Sequence, residues 1–133
     1  MTEPTSDQIH ERHFTLEEAN AMLPRLKPLL RQLRDAKNDL TDSDAHEVLA
    51  EAAPANGGGE PGRQVGVAFL EVQRLLVALE ESGIVLKDID RGLVDFPALI
   101  EGREVYLCWE LGEDEVAFWH EISAGYRGRQ PLD

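Results

Sequence analysis

The residues of this chain with the chemistry to do something crowd into its last third. Between Gly92 and Arg129 lie the only cysteine, Cys108, both tryptophans, both tyrosines and His120, one of four histidines. Asp88, Asp90, Asp95, Glu113, Glu115, His120 and Glu121 are oxygen or imidazole donors within a few dozen positions. Three or four of them converging would hold a divalent cation. Their spacing matches neither His-Glu-x-x-His nor an EF-hand loop nor paired Cys-x-x-Cys, so Asp88, Asp90, Asp95 and His120 stand as metal candidates without a motif behind them. In so acidic a chain scattered carboxylates are also what composition alone supplies.

Catalysis has a narrower set. An imidazole between Trp119 and Glu121 can be tuned as a base, which makes His120, Asp95 and Glu121 the catalytic candidates. Cys108 is a poor nucleophile if Asp95 is its neighbour, because a carboxylate raises a thiol's pKa. Arg103, Arg127 and Arg129 form a third constellation, a clamp able to grip a small anion bidentately. The favoured alternative has Arg127 and Arg129 pairing with Asp88, Asp90 or Asp95 and stapling the tail to the sheet. Whether the protein is an enzyme is left open by these patterns, as is the identity of any small-molecule ligand.

The elements that must position these side chains are legible upstream. Thr15 and Glu18 have capping-box spacing, with Phe14 at the staple position. Leu16, Ala19, Leu23, Leu26, Leu30, Leu33 and Leu40 then step by three and four, interrupted by Lys37, the seam of a helix lying along a partner helix. Pro24 and Pro28 sit in register within it, predicting one kinked helix. A flexible connector spans 54–64; its three glycines lack the flanking strand and Gly-Lys-Ser/Thr of a phosphate loop. Val65, Phe69, Val72, Leu76 and Leu79 continue a second seam, stopped by Gly83. The two seams predict an antiparallel helical hairpin over 14–83.

A β block follows over 84–133. Ile84–Asp90 reads as a first strand, and Glu101-Gly102 as a two-residue hairpin turn between Leu93–Ile100 and Arg103–Leu111. That turn fixes a register in which Ala98 pairs Val105, Phe96 pairs Leu107 and Val94 pairs Trp109 on an apolar face. Pro97 with Tyr106 and Asp95 with Cys108 then share the other face. Pro97 requires an edge or a bulge there. An even turn over Gly112–Glu115 places His120 of the last strand, Val116–Glu121, on the Leu107 face toward the helices. An odd loop would bring it to Cys108 and Asp95.

The expected architecture is therefore α+β: a long antiparallel helical hairpin packed on a small antiparallel meander of three or four strands. Residues 1–13 read as a disordered leader that leaves His10 and His13 without partners, and 14–133 as a single domain. The chain carries 13 basic against 26 acidic residues, a net charge of −13, which disfavours nucleic acid. The basic cluster Arg25, Lys27, Arg31, Arg34 and Lys37 reads as a solvated helix face. No apolar run approaches the roughly 20 residues of a membrane span, and the polar start lacks a signal-peptide core. A cytoplasmic location is the expectation.

Phe14-Thr-Leu-Glu-Glu-Ala-Asn20-Ala-Met-Leu-Pro24, Lys87-Asp-Ile-Asp-Arg-Gly92-Leu-Val-Asp95-Phe-Pro97 and Gly102-Arg103-Glu-Val-Tyr-Leu-Cys108-Trp109 together resemble the domain of unknown function 2203 family. So do Phe118-Trp119-His120-Glu121 and Gly125-Tyr126-Arg127-Gly128-Arg129-Gln130-Pro131. The resemblance spans about residues 14–132 and implies a helical hairpin of variable length followed by a compact C-terminal block, with no particular activity. The glycine-rich connector departs from it, since relatives often run helical and charged there. A heptad stripe longer than a small sheet can cover predicts a coiled-coil homodimer through the helices, and with it a binding or scaffolding protein. The alternative is a small metal-dependent hydrolase using Asp88, Asp90, Asp95, His120 and Glu121.

Overall fold

A reciprocal capping box opens the first helix: the Thr15 N–H donates to Glu18 Oε1 at 2.9 Å, and the Glu18 N–H to Thr15 Oγ1 at 3.0 Å. Helix α1 then runs unbroken over Leu16–Thr41 with Pro24 and Pro28 inside it. The computed structural model describes residues 9–41 and 60–132, the side chains of 60–64 excepted. Helix α2 spans Glu60–Ser82, so 60–64, expected in the connector, are helical. The rest of the connector and residues 1–8 of the leader lie outside the described residues.

Gly83 ends α2 with φ 82°. The Gly83 N–H bonds the Glu80 carbonyl at 3.0 Å and the Ile84 N–H the Leu79 carbonyl at 3.2 Å. This double closure, with Ile84 and Leu79 both buried, is a Schellman cap. It turns the chain directly into the sheet.

Five antiparallel strands follow in the order β1-β2-β3-β4-β5: Val85–Asp88, Leu93–Ile100, Arg103–Glu110, Phe118–Glu121 and Gln130–Pro131. The fold is α+β, two helices packed on one sheet. The short last strand goes beyond the three or four expected. The β2–β3 turn is the predicted one, with positive φ at both Glu101 and Gly102, the twist a tight hairpin favours. Its register pairs Val94 with Trp109, Asp95 with Cys108, Phe96 with Leu107, Pro97 with Tyr106 and Ala98 with Val105. β1 pairs no farther along β2 than Asp95, so Pro97 stands on a free edge, where its carbonyl accepts the Phe14 N–H at 2.6 Å.

The core lies between sheet and helices. Ala19, Leu23, Leu26, Leu30 and Leu33 of α1 meet Val94, Phe96, Val105, Leu107 and Trp109. Two details of the seams differ from expectation. Leu16 is exposed, and Ala36 is buried where the stripe crosses Lys37. On α2 the buried line is Ala68, Leu75 and Leu79, while Phe69 and Leu76 are exposed. A straight helix advances 3.6 residues per turn, so a strict heptad drifts around it. Ala68 is buried on a line that letter spacing alone does not distinguish from its neighbour.

Residues 9–13 lie on the sheet. The N–H groups of Ile9 and His10 donate to Glu104 at 2.8 and 3.0 Å, His13 Nε2 lies 2.8 Å from the same carboxylate, and His10 Nε2 is 2.7 Å from Tyr106 Oη. Both histidines therefore have partners, contrary to expectation. No helix among the described residues is long and apolar enough to cross a membrane.

Candidate functional site

The sheet face turned away from the helices carries the polar cluster. Asp95 of β2 sits opposite Cys108 of β3, and Tyr106, two residues before Cys108, sits opposite His120 of β4. His120 is thus on the Asp95 face, not the Leu107 face. Residues 109–117 separate the paired Cys108 and Phe118; that odd count reverses the parity expected of an even turn. The loop is held in this form by three bonds: Trp109 Nε1 to the Glu113 carbonyl at 3.1 Å, Glu110 N to Glu113 Oε1 at 2.9 Å, and Val116 N to Asn20 Oδ1 at 2.7 Å.

Asp95 and His120 are each 1 % exposed. The ring orientation of His120 is set at Nδ1, which lies 2.7 Å from the Glu121 carbonyl. A carbonyl only accepts, so Nδ1 carries the proton. Nε2 faces both Asp95 oxygens at 3.1 Å. Two acceptors do not approach this way unless a cation lies between them, so a second proton is held there, by the imidazolium or by a neutral carboxyl. Burial pushes the Asp95 carboxyl above its ordinary range, and the proximity of His120 and, less, of Lys87 offsets only part of that. Lys87 Nζ lies 4.0 Å from Asp95 Oδ2.

Cys108 completes the group. Its Sγ, an Asp95 oxygen and a His120 nitrogen all lie within 4.8 Å of one another. Burial first, then the Asp95 charge, push the thiol up to about 12, against the lowering effect of Arg129, whose Nη1 is 4.0 Å from Sγ. At neutral pH this is a thiol, not a thiolate, and it is no nucleophile.

The other candidates are committed elsewhere. Asp88 caps the β1–β2 turn through the Arg91 N–H at 3.1 Å, and Asp90 pairs with Lys37 at 2.8 Å. Glu121 pairs with Arg103 at 2.9 Å, away from the cluster. Arg129 pairs with Glu113 and lies 4.0 Å from Glu110; it also stacks over Phe118 at 3.7 Å and Tyr126 at 4.7 Å. It staples the tail, but onto Glu110 at the end of β3 and Glu113 just after it instead of the Asp88–Asp95 run. Arg103 begins β3 and Glu110 ends it, so Arg103 and Arg129 do not converge on one anion. Arg127 is exposed, and Glu115 joins no cluster with the histidine.

Sequence reasoning missed the surround of the cluster: Lys87, Tyr106 and His10. Lys87 Nζ sits 5.1 Å from the Tyr106 ring centroid, and the Tyr106 ring lies 5.5 Å from that of His120 and 5.4 Å from that of His10. Only the pairing of Tyr106 with Pro97 on the polar face pointed to any of them.

A second feature lies on the outward face of α2. Val67, Phe69, Leu70, Leu76 and Val77 of α2 are exposed, Leu70 by 64 % and Phe69 by 52 %. Through Leu76 this face continues into a shallow cavity of about 410 Å³ lined by Leu79, Ile84, Val85 and Leu86, with Glu80 and His10 at its rim.

A family model described as an uncharacterized conserved protein, DUF2203, matches residues 12–132. No curated protein and no solved structure matches the chain.

Proposed function

The chain belongs to the domain of unknown function 2203 family, and we propose that it is a non-enzymatic binding or scaffolding protein that dimerises through its helices. The observation carrying this reading is the outward face of α2. Leu75 and Leu79 face the core shared with α1, yet Val67, Phe69, Leu70, Leu76 and Val77 remain exposed among Gln73, Arg74, Glu80 and Glu81. Five large apolar side chains exposed together on one helix mark a contact surface rimmed by polar residues. At ~1.5 Å per residue α2 is about 34 Å long, enough for a contact of the usual helix-mediated kind. The groove beside β1 extends the same surface.

The geometry of the polar cluster supports the non-enzymatic half. Its thiol is held protonated and both nitrogens of its histidine are occupied. The hydrolase set is dispersed, since Asp88, Asp90 and Glu121 serve a turn and two ion pairs. A partner other than nucleic acid accords with the charge of −13.

Light scattering on a size-exclusion column tests the reading. A dimer is expected, strengthening as salt screens the repulsion between two acidic copies. Leu70→Glu with Val77→Glu should yield a monomer of unchanged helix content, because neither side chain touches the core. A wild-type monomer at high concentration and high salt defeats it.

A further inference from the structure

We propose that Asp95, Cys108 and His120 form a zinc-binding site on the sheet face opposite the helices. The three donors come from three adjacent strands, all are buried, and their ligand atoms lie within 4.8 Å of one another. His120 has the form of a metal ligand: its Nδ1–H is spent on the Glu121 carbonyl, which fixes the tautomer and aims the Nε2 electron pair at the cluster. Nε2 meets both oxygens of a carboxylate at 3.1 Å, a contact bridged by a proton in the free protein and open to a metal ion in that proton's place. A proton satisfies two of these groups. A metal ion satisfies all three, including the sulfur that the proton leaves as a spectator.

The donor set selects the ion. One sulfur, one imidazole nitrogen and one carboxylate oxygen suit zinc and its borderline neighbours and reject magnesium and calcium, which take oxygen. A tetrahedral ion bound at ~2.0–2.3 Å sets its donors roughly 3.3–3.8 Å apart, so the pair opens by a few tenths of an ångström. Charge also balances. Entry of the ion breaks the Cys108 S–H bond and expels the proton between Asp95 and His120; both protons pass to solvent as the metal–sulfur and metal–nitrogen bonds form. The bound ion and its two anionic ligands are then neutral together. Three protein donors leave one tetrahedral position, and Lys87 and Arg129, each 4.0 Å from a ligand atom, favour an anion that closes it. Asp88 and Asp90, the carboxylates that spacing alone suggested, take no part.

Cobalt reports the site directly. Full-length protein stripped with chelator is titrated with Co²⁺ and then with Zn²⁺. One Co²⁺ per chain is expected, with the visible bands of tetrahedral cobalt and a thiolate-to-cobalt charge-transfer band, all erased by stoichiometric Zn²⁺. Cys108→Ser should remove the charge-transfer band, and His120→Ala should weaken binding at least tenfold, each with circular dichroism confirming the fold. Absence of a thiolate band on the wild-type chain overturns the site without reference to any variant. So does an octahedral spectrum, or one that Cys108→Ser leaves unchanged. The outcome is independent of dimerisation, because no ligand lies on α2.

Discussion

Nε2 of His120 lies equidistant, at 3.1 Å, from the two carboxylate oxygens of Asp95, and each group is as buried as the apolar core beneath it. No other charged group lies as close to either partner. Lys87 approaches Asp95 only to 4.0 Å from a half-exposed position, and the other close neighbours, Cys108 and the Tyr106 ring, carry no formal charge. The pair therefore stands or falls together. His120→Leu should destabilise the fold by about 3 kcal/mol, the usual cost of stranding one member of a buried pair. Asp95→Leu should cost a similar amount, and the double variant less than the sum by at least ~1 kcal/mol. Urea unfolding of the four proteins measures this; strict additivity would show that the pair is not coupled.

Cys108 should be silent to thiol reagents. Its pKa moves from 9.0 to about 12 through burial and the Asp95 charge, so the thiolate fraction at pH 8 falls by about a thousandfold relative to an ordinary cysteine. Reaction with a disulfide reagent in native buffer should be slower by at least that factor than in denaturant. Equal rates would mean that the sulfur is open to solvent and not beneath Arg129.

Glu104 and Asp95 should leave opposite marks on acid stability. Burial alone would raise Glu104, but the N–H groups of Ile9 and His10 and the ring of His13 outweigh it and hold the carboxyl below its ordinary 4.5. Between that lowered value and 4.5 the unfolded chain binds more protons, so this stability is present above the window and is lost as pH falls through it. Asp95 is raised above its ordinary 3.8, so the folded chain binds more protons there, and its contribution is lost as pH rises through the raised value. Glu104→Gln removes the first effect only. Its stability should fall less steeply than wild type from roughly pH 5 to pH 3, with residues 9–13 more accessible to protease. Parallel curves would remove Glu104 from the account.

Sequence alone reached the parts of this structure governed by local rules. The capping box at Thr15, the Gly83 stop and the Glu101-Gly102 turn each follow from backbone chemistry within a few residues. The β2–β3 register followed from the turn, and with it the placement of Asp95 opposite Cys108. What escaped depends on parity and distance. One residue in the loop before β4 decides which face His120 occupies, and that loop is fixed by Asn20, which lies 96 positions from Val116. His10 reaches Tyr106 across a similar gap, with nothing in the intervening chain to announce it. The α2 seam holds at Val72 and Leu79 but lies one position earlier at Ala68 and Leu75, where the larger Phe69 and Leu76 draw a reading by hydrophobicity.

Gly92 is the backbone position on which the polar face depends. Its φ is 61°, and a Cβ built there would lie 2.5 Å from Leu111 side-chain atoms. The Leu111 N–H also bonds the Gly92 carbonyl at 3.2 Å. Any side chain meets two penalties, a left-handed backbone worth about 1–2 kcal/mol and an overpacked contact of about 1–3 kcal/mol. Gly92→Ala should therefore destabilise by about 2–5 kcal/mol. Combining it with Leu111→Ala relieves the contact but not the backbone, so the double variant should recover part of the loss and no more. Because Asp95 lies three residues downstream, a displaced Gly92 should also loosen the cluster and quicken the reaction of Cys108 with thiol reagents. A Gly92→Ala protein as stable as wild type would show that Leu111 swings aside freely and that this turn does not set the register of β2.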